Sequence, residues 1–137
     1  MKRTAKAHWS GNLKEGNGKL TTQSGVLKNT SYSFKTRFEN EIGTNPEELL
    51  AVSHAGCFTM SVSAILTEKG LNPTSLDTEA TVTMEGLTIT GVHLSIKGSV
   101  IGVNEEEFKA ITKEAEKNCP ISKTLKIPIS SEAHIVS

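Results

Sequence analysis

Several features that define common classes of protein are missing from this sequence. Its 137 residues include 15 basic and 15 acidic side chains, and this balance does not favour nucleic acid or an anionic membrane as a partner. The N-terminus, MKRTAKAHWSGN, has no apolar segment of signal-peptide length. No GxGxxG or GxxxxGKS/T loop is present, so nucleotide binding is not indicated. We therefore expect a single cytoplasmic domain spanning residues 1–137.

Cysteine is scarce. Cys57 and Cys119 are the only two, and they do not form a CxxC pair. In a cytoplasmic protein both are expected to be reduced at rest. Two cysteines and four scattered histidines lack the spacing of a zinc site, so neither a metal nor another cofactor is predicted.

The order of apolar patterns predicts an α+β fold. Alternation predicts strands within residues 2–38, the last of which carries four alternating residues with Arg37 on the opposite side: Tyr32, Phe34, Thr36 and Phe38. A hairpin over residues 76–100 with a bulge near Gly91 comes later. Asn104 then caps a helix to about Lys117, whose inward stripe would continue to Cys119, and residues 127–135 form a last strand.

The longest apolar run, from Gly43 to Gly70, predicts one long helix around Cys57. Asn45 is suited to cap its start, and Gly70 is suited to end it. Apolar residues lie on all sides, which is typical of a buried helix. One chain of this size can hardly enclose such a helix, so oligomerisation is expected. Polar residues interrupt the run and argue against a membrane span.

Cys57 allows two interpretations. A free cysteine on an apolar helix is commonly a structural core residue. Gly56 beside it would, however, let a substrate or another backbone approach closely, which favours a reactive thiol. A thiol in the middle of a helix lies beyond the reach of the helix dipole, so a reactive Cys57 would need a cation from elsewhere.

Arg37 is the candidate for that cation, and Glu47 is the candidate for its partner. Glu47 could hold the guanidinium of Arg37 through a bidentate contact, or the two could form an ordinary surface salt bridge. His54, three residues before Cys57, could activate the thiol or contribute to a metal site. We interpret His54 instead as a structural residue of the helix.

Several motifs resemble those of the osmotically inducible protein C family, which includes the organic hydroperoxide resistance proteins. They extend over nearly the whole chain: HWSG at 8–11, SGVL at 24–27, TRFE at 36–39, GTNPEELL at 43–50, HAGCF at 54–58 and NCPIS at 118–122. The resemblance implies a peroxidase that reduces organic hydroperoxides and is regenerated by a dithiol reductant of the dihydrolipoyl type. It also implies an intertwined homodimer with long buried central helices wrapped by antiparallel β-sheets.

The resemblance also implies roles for individual residues. Cys57 matches the cysteine that attacks the peroxide, and Cys119 matches the one that captures the sulfenic acid as a disulfide. Arg37 and Glu47 match the arginine and glutamate of the family's site. The position of the arginine in TRFE is similar to that in the osmotically inducible subgroup.

A distance argument supports a shared site. Glu47 and Cys57 are ten residues apart, which on one helix means about 15 Å along the axis and about 80° around it. A side chain cannot bridge that distance, so Glu47 and Arg37 would reach Cys57 from a partner chain. Two alternatives remain. One is a peroxide-responsive redox sensor or binding protein that uses the same cysteines without turnover, and the other is a structural domain with inert thiols.

Overall fold

The computed structural model describes residues 1–136 and divides the chain into two units, Met1–Leu49 and Leu50–Ser137. The first unit contains a three-stranded antiparallel sheet of β1 (Ala5–Ser10), β2 (Asn17–Thr22) and β3 (Thr30–Tyr32), in that order. The Trp9 and Tyr32 rings pack edge to face with centroids 5.5 Å apart. Both rings contact the position where a β-carbon of Gly18 would lie, so only glycine fits there.

The predicted strand through Phe34 and Phe38 is wrong, because this segment forms a short helix, α1 (Phe34–Phe38). A capping box starts the helix. The Ser33 hydroxyl accepts the Thr36 N–H at 3.2 Å, and the Thr36 hydroxyl accepts the Ser33 N–H at 2.9 Å. These local bonds outweigh the alternating pattern. The change of element also brings the Arg37 guanidinium to 5.0 Å from the Phe38 ring centre, not to the side opposite the aromatics.

The long helix is confirmed as α2 (Pro46–Glu68). The Asn45 side chain caps it by accepting the Glu48 N–H at 2.8 Å. At the other end, Gly70 has φ +74°, and the Leu71 N–H donates to the Leu66 carbonyl at 2.9 Å, which satisfies an orphan carbonyl of the last turn.

In the second unit, β4 (Pro73–Glu85) and β5 (Thr88–Val100) form the predicted hairpin, with a register shift at Thr83/Met84 opposite Gly91 and Ile89. The last strand, β6 (Ile129–Ile135), pairs with β5 in parallel. The α+β class is confirmed, and of the strand pairs described here the β5–β6 pair alone departs from the antiparallel sheets that the resemblance implies. Parallel pairing requires a crossover between the two strands, and the helical segment that precedes β6 provides it.

The crossover contains α3 (Glu105–Asn118) and a short helix that was not predicted, α4 (Pro120–Thr124). The Asn104 capping box is confirmed, with the Glu107 N–H donating to the Asn104 side chain at 2.9 Å and the Asn104 N–H to the Glu107 carboxylate at 3.1 Å. The predicted inward stripe is confirmed as well. Phe108, Ile111, Ala115 and Cys119 are all buried in the core.

Within residues 1–136, only one face of α2 is buried. That face consists of residues at four-residue intervals: His54, Phe58, Val62 and Leu66. On the opposite side, Val52 is 65% exposed and Met60 is 76% exposed. The helix is long and apolar enough to pass a membrane-span criterion, with a mean hydropathy of 1.7 over 18 residues, but apolar helices of soluble proteins pass the same criterion.

Candidate active site

The two cysteines, 62 residues apart in sequence, meet in the second unit. Cys57 lies in the middle of α2, and Cys119 joins α3 to α4, where Pro120 ends the first helix and starts the second. The Cys119 thiol donates to the Cys57 sulfur with 2.9 Å between the sulfur atoms. Cys119 is fully buried, whereas Cys57 is partly exposed, and both are free thiols. Cys57 is therefore the thiol that an incoming molecule can reach.

The surroundings of Cys57 position the thiol without activating it. Burial raises the pKa of the Cys57 thiol, and its contact with Cys119 raises it further. The backbone at Ile121 and the Ser61 side chain act in the opposite direction. Within residues 1–136, no cation is among the groups that shift this pKa. A thiolate at Cys57 therefore needs a charge that this environment does not supply.

His54 is also fully buried, on the face of α2 that contacts the core. Its Nε2 lies 2.7 Å from the hydroxyl of Ser122 in α4. In the described part of the chain, its Nδ1 is buried and has no hydrogen-bond partner. Burial lowers the pKa of His54, although the Glu116 carboxylate opposes this effect. The imidazole is therefore neutral near pH 7.

Arg37 and Glu47 meet in the first unit. The Arg37 Nε lies 3.1 Å from both carboxylate oxygens of Glu47, and its Nη2 lies 2.7 Å from Oε1. This bidentate contact is the first cause of a raised pKa for Arg37 and a lowered pKa for Glu47. The Glu47 side chain is 13% exposed and that of Arg37 is 36% exposed. The guanidinium is thus held in one orientation with one edge accessible.

An aromatic cavity of about 260 Å³ lies beside Arg37 in the same unit. It is lined by Trp9, Leu13, Tyr32, Ser33, Phe34, Arg37 and Phe38. Its wall combines apolar rings with a single cation, which suits a ligand with a hydrocarbon body and a polar end.

Sequence reasoning found the two cysteines, Arg37 and Glu47, but it missed Ser122 and the aromatic cavity. Ser122 lies in NCPIS, three residues after Cys119, just as His54 lies three residues before Cys57. These equal spacings are the signal in the sequence that could have identified the pair. The cavity depends on α1, whose capping box at Ser33 was not recognised. Within the residues that the structure describes, no group of three or more potential metal-ligating side chains comes together.

Comparison with known proteins gives consistent results. Residues 38–133 match the family model described as OsmC-like protein. Peroxiredoxin OsmC of Escherichia coli (strain K12) is 43% identical over 135 residues, covering 96% of this chain and 94% of that protein. Among solved structures, the organic hydroperoxide resistance protein OhrB of Bacillus subtilis has a TM-score of 0.73 at 23% identity, over 97% of this chain and 98% of that one. An OsmC-like protein from Mycoplasma pneumoniae has a TM-score of 0.76 at 16% identity, over 100% and 99% of the two chains.

The α+β fold, the contacting thiols and the nearly full-length match to a peroxiredoxin define the class of this protein as a cysteine-based peroxidase. The comparisons also identify the family within this class. The chain belongs to the OsmC-like protein family, as both the family model and the 43% identical relative show.

Proposed function

We propose that this enzyme reduces organic hydroperoxides to alcohols, with Cys57 as the attacking thiolate and Cys119 as the resolving thiol. The observation that carries the proposal is the 2.9 Å contact between a partly exposed and a fully buried free thiol. The exposed thiol can meet a substrate. The buried thiol lies where it can react with the sulfenic acid formed at Cys57.

The reaction has two steps within the enzyme. The Cys57 thiolate attacks the distal oxygen of the hydroperoxide, the O–O bond breaks, and the leaving alkoxide takes a proton to become an alcohol. Cys57 is left as a sulfenic acid. Cys119 then attacks that sulfur, its thiol proton leaves with the hydroxyl as water, and a disulfide forms. An external dithiol, which the family resemblance suggests is of the dihydrolipoyl type, reduces the disulfide and becomes a disulfide itself.

The charge that Cys57 needs would come from a second copy of the chain. Because α2 is continuous from Pro46 to Glu68, Glu47 and Cys57 are separated by about 15 Å along its axis. In an antiparallel pair of α2 helices, the start of one helix would lie beside the middle of the other. The partner's Arg37, oriented by the partner's Glu47, would then stabilise the thiolate and the charge that develops on the leaving oxygen.

The exposed face of α2 supports this homodimer. Val52, Gly56, Met60 and Ala64 follow the same four-residue spacing as the buried face but lie on the opposite side of the helix. Gly56 lowers helix stability by about 1 kcal/mol relative to alanine, yet a β-carbon there would meet no atom of the described residues within 4 Å. A glycine at this position would allow the partner helix to approach closely, which accounts for its presence.

The preference for organic over hydrogen peroxide rests on the apolar surroundings of both halves of the site. Aromatic rings line the cavity beside Arg37, and Cys57 packs against the apolar core. A hydrocarbon group would gain from leaving water in such a place, whereas hydrogen peroxide has no such group.

The test is steady-state consumption of cumene hydroperoxide with dihydrolipoamide as the reductant. We expect turnover by the wild type, none by Cys57→Ser, and a single oxidation without turnover by Cys119→Ser. Hydrogen peroxide should react at least about tenfold more slowly. Full activity of Cys57→Ser would end the mechanism, and oxidation of the wild type without turnover would indicate a redox sensor instead.

A further inference from the structure

A second pair of side chains joins the two elements that carry the thiols. His54 lies three residues before Cys57 on α2, and Ser122 lies three residues after Cys119 on α4. The imidazole Nε2 and the serine hydroxyl are 2.7 Å apart. This hydrogen bond connects the two elements in addition to the contact between the thiols.

The hydrogen bond is buried at both ends. His54 is 0% exposed and Ser122 is 8% exposed. Among the described residues Ser122 is the only partner of the imidazole, since Nδ1 is buried and unpaired. Loss of the hydroxyl would leave both ring nitrogens without a partner in the core, which is costly for a polar group.

The short helix α4 is held by the packing of Ile121 against the core and by the bond between Ser122 and His54. It spans only Pro120–Thr124, and its N-cap residue, Cys119, makes no side-chain capping bond. A helix of five residues is not stable by itself. Its placement against α2, and with it the placement of the Cys119 sulfur, therefore depends on side-chain contacts such as the His54–Ser122 bond.

We propose that His54 and Ser122 are a positioning pair for disulfide formation, which hold Cys119 within reach of the oxidised Cys57. The inference rests on the proposed peroxidase function. In the step concerned, the S–O bond of the Cys57 sulfenic acid breaks as the S–S bond forms, and the thiol proton of Cys119 joins the leaving hydroxyl to give water. Neither His54 nor Ser122 exchanges a proton or an electron with the thiols. They set the distance at which the step occurs.

The experiment separates oxidation of Cys57 from its resolution. The reduced enzyme and its variants receive one equivalent of cumene hydroperoxide without reductant. Peroxide loss gives the rate of the first step, and disulfide formation, followed by mass spectrometry after rapid quenching, gives the rate of the second. Dimedone traps any sulfenic acid that accumulates. The variants are Ser122→Ala, His54→Leu and the double variant.

Thr78→Val is the matched control. It removes the 2.6 Å hydrogen bond between the hydroxyls of Thr59, on α2, and Thr78, on β4. This bond also anchors α2, but it does not involve α4. A general loss of packing around α2 would therefore slow disulfide formation in the control as well.

We expect Ser122→Ala to form the disulfide about tenfold more slowly, with peroxide loss within twofold of the wild type and dimedone adduct at Cys57. Thr78→Val should match the wild type in both steps. The double variant should be no slower than the slower single variant, because both partners are then removed together. If His54→Leu does not fold, Ser122→Ala against Thr78→Val decides the question.

Normal disulfide formation in Ser122→Ala would overturn the positioning role while leaving the peroxidase proposal intact. Equal slowing in Thr78→Val would overturn it too, since the effect would then not be specific to α4. Absence of peroxide loss in the wild type would instead remove the proposed function, and the inference with it.

Discussion

The two halves of the candidate site have opposite physical characters. The thiol pair lies in Leu50–Ser137 among apolar residues, and burial raises the pKa of Cys57. The ion pair lies in Met1–Leu49, where Arg37 and Glu47 hold each other in the charged form. In the proposed mechanism, the first half contributes the nucleophile and the second contributes the charge that activates it.

If Cys57 and Cys119 react as proposed, this difference would let an apolar core hold the reacting atoms. Burial keeps Cys119 close to Cys57 and away from other thiols, but it disfavours the thiolate. A cation placed permanently in that core would need its own partner and would be costly to desolvate. In the proposed homodimer, a charge pair supplied by the second chain would avoid this conflict. Five measurements test this division between the two halves of the candidate site.

The largest effect should follow from placing a charge on the exposed face of α2. Val52→Glu would bury an unpaired carboxylate in the proposed dimer, which should raise the dissociation constant about 1000-fold. Sedimentation velocity over a dilution series measures this, and peroxidase activity should fall with the dimer. Leu87→Glu is the control, since Leu87 is 83% exposed in the turn between β4 and β5. A dimeric Val52→Glu would contradict the proposed interface.

Removal of the activating charge should have the next largest effect. Arg37→Met should slow oxidation of Cys57 about 100-fold at pH 7, because the thiolate loses its cation. The midpoint of the pH dependence of iodoacetamide alkylation of Cys57 should move to higher pH in the same variant. An unchanged midpoint would show that Arg37 does not act on the thiol.

Subunit mixing then tests where Arg37 acts. When Arg37→Met and Cys57→Ser chains are mixed and refolded, each heterodimer contains one site with both native residues. About a quarter of the wild-type activity should return if the site is shared between subunits. No recovery from the mixture would place Arg37 and Cys57 in the same chain.

A smaller effect is expected for Glu47→Gln. The neutral amide keeps a hydrogen bond to Arg37 but loses the charge-assisted bidentate contact, which should lower the oxidation rate about tenfold. Glu48→Gln, at an exposed neighbouring carboxylate, should leave the rate unchanged. Because the pKa of Glu47 is lowered from 4.5, its contact with Arg37 should persist below pH 4.5 and be lost as the pH falls through the folded-state value. Equal rates in both variants would contradict an orienting role for Glu47.

The smallest effect concerns stability. Burial lowers the pKa of His54 from 6.5, so the unfolded chain binds a proton at a higher pH than the folded chain does. The free energy of unfolding should therefore fall by about 1 kcal/mol as the pH drops from about 7.5 to about 5.5. Urea titrations should show a smaller fall in His54→Leu. Identical slopes in the two proteins would show that His54 is not the group responsible.

Local signals predicted much of the fold. Asn45 and Asn104 marked the starts of α2 and α3 because a capping side chain bonds to backbone only three residues away. The stripe from Phe108 to Cys119 was predicted because helix periodicity is regular over that length. Such features depend on neighbours in sequence, so the sequence displays them directly.

The features that were missed depend on competition or on distant partners. Apolar and polar residues alternate from Phe34 to Phe38 as in a strand, but a capping box at Ser33 stabilises a helix there. The parallel pairing of β6 with β5 depends on how the crossover packs, which no local pattern encodes. The bond between His54 and Ser122 joins residues 68 positions apart. Periodicity predicts the helix face on which each of these two residues lies, but it does not predict which residue contacts it.

The parallel pairing of the last strand also has a consequence for the order of folding. The segment with Cys119 lies between β5 and β6. Pairing of β6 with β5 therefore brings together two strands that the whole crossover separates in sequence. Contacts between such distant parts of a chain form slowly. We therefore expect the two thiols to come into contact only in the final stage of folding. Rapid disulfide formation on treatment with peroxide would then indicate that folding is complete.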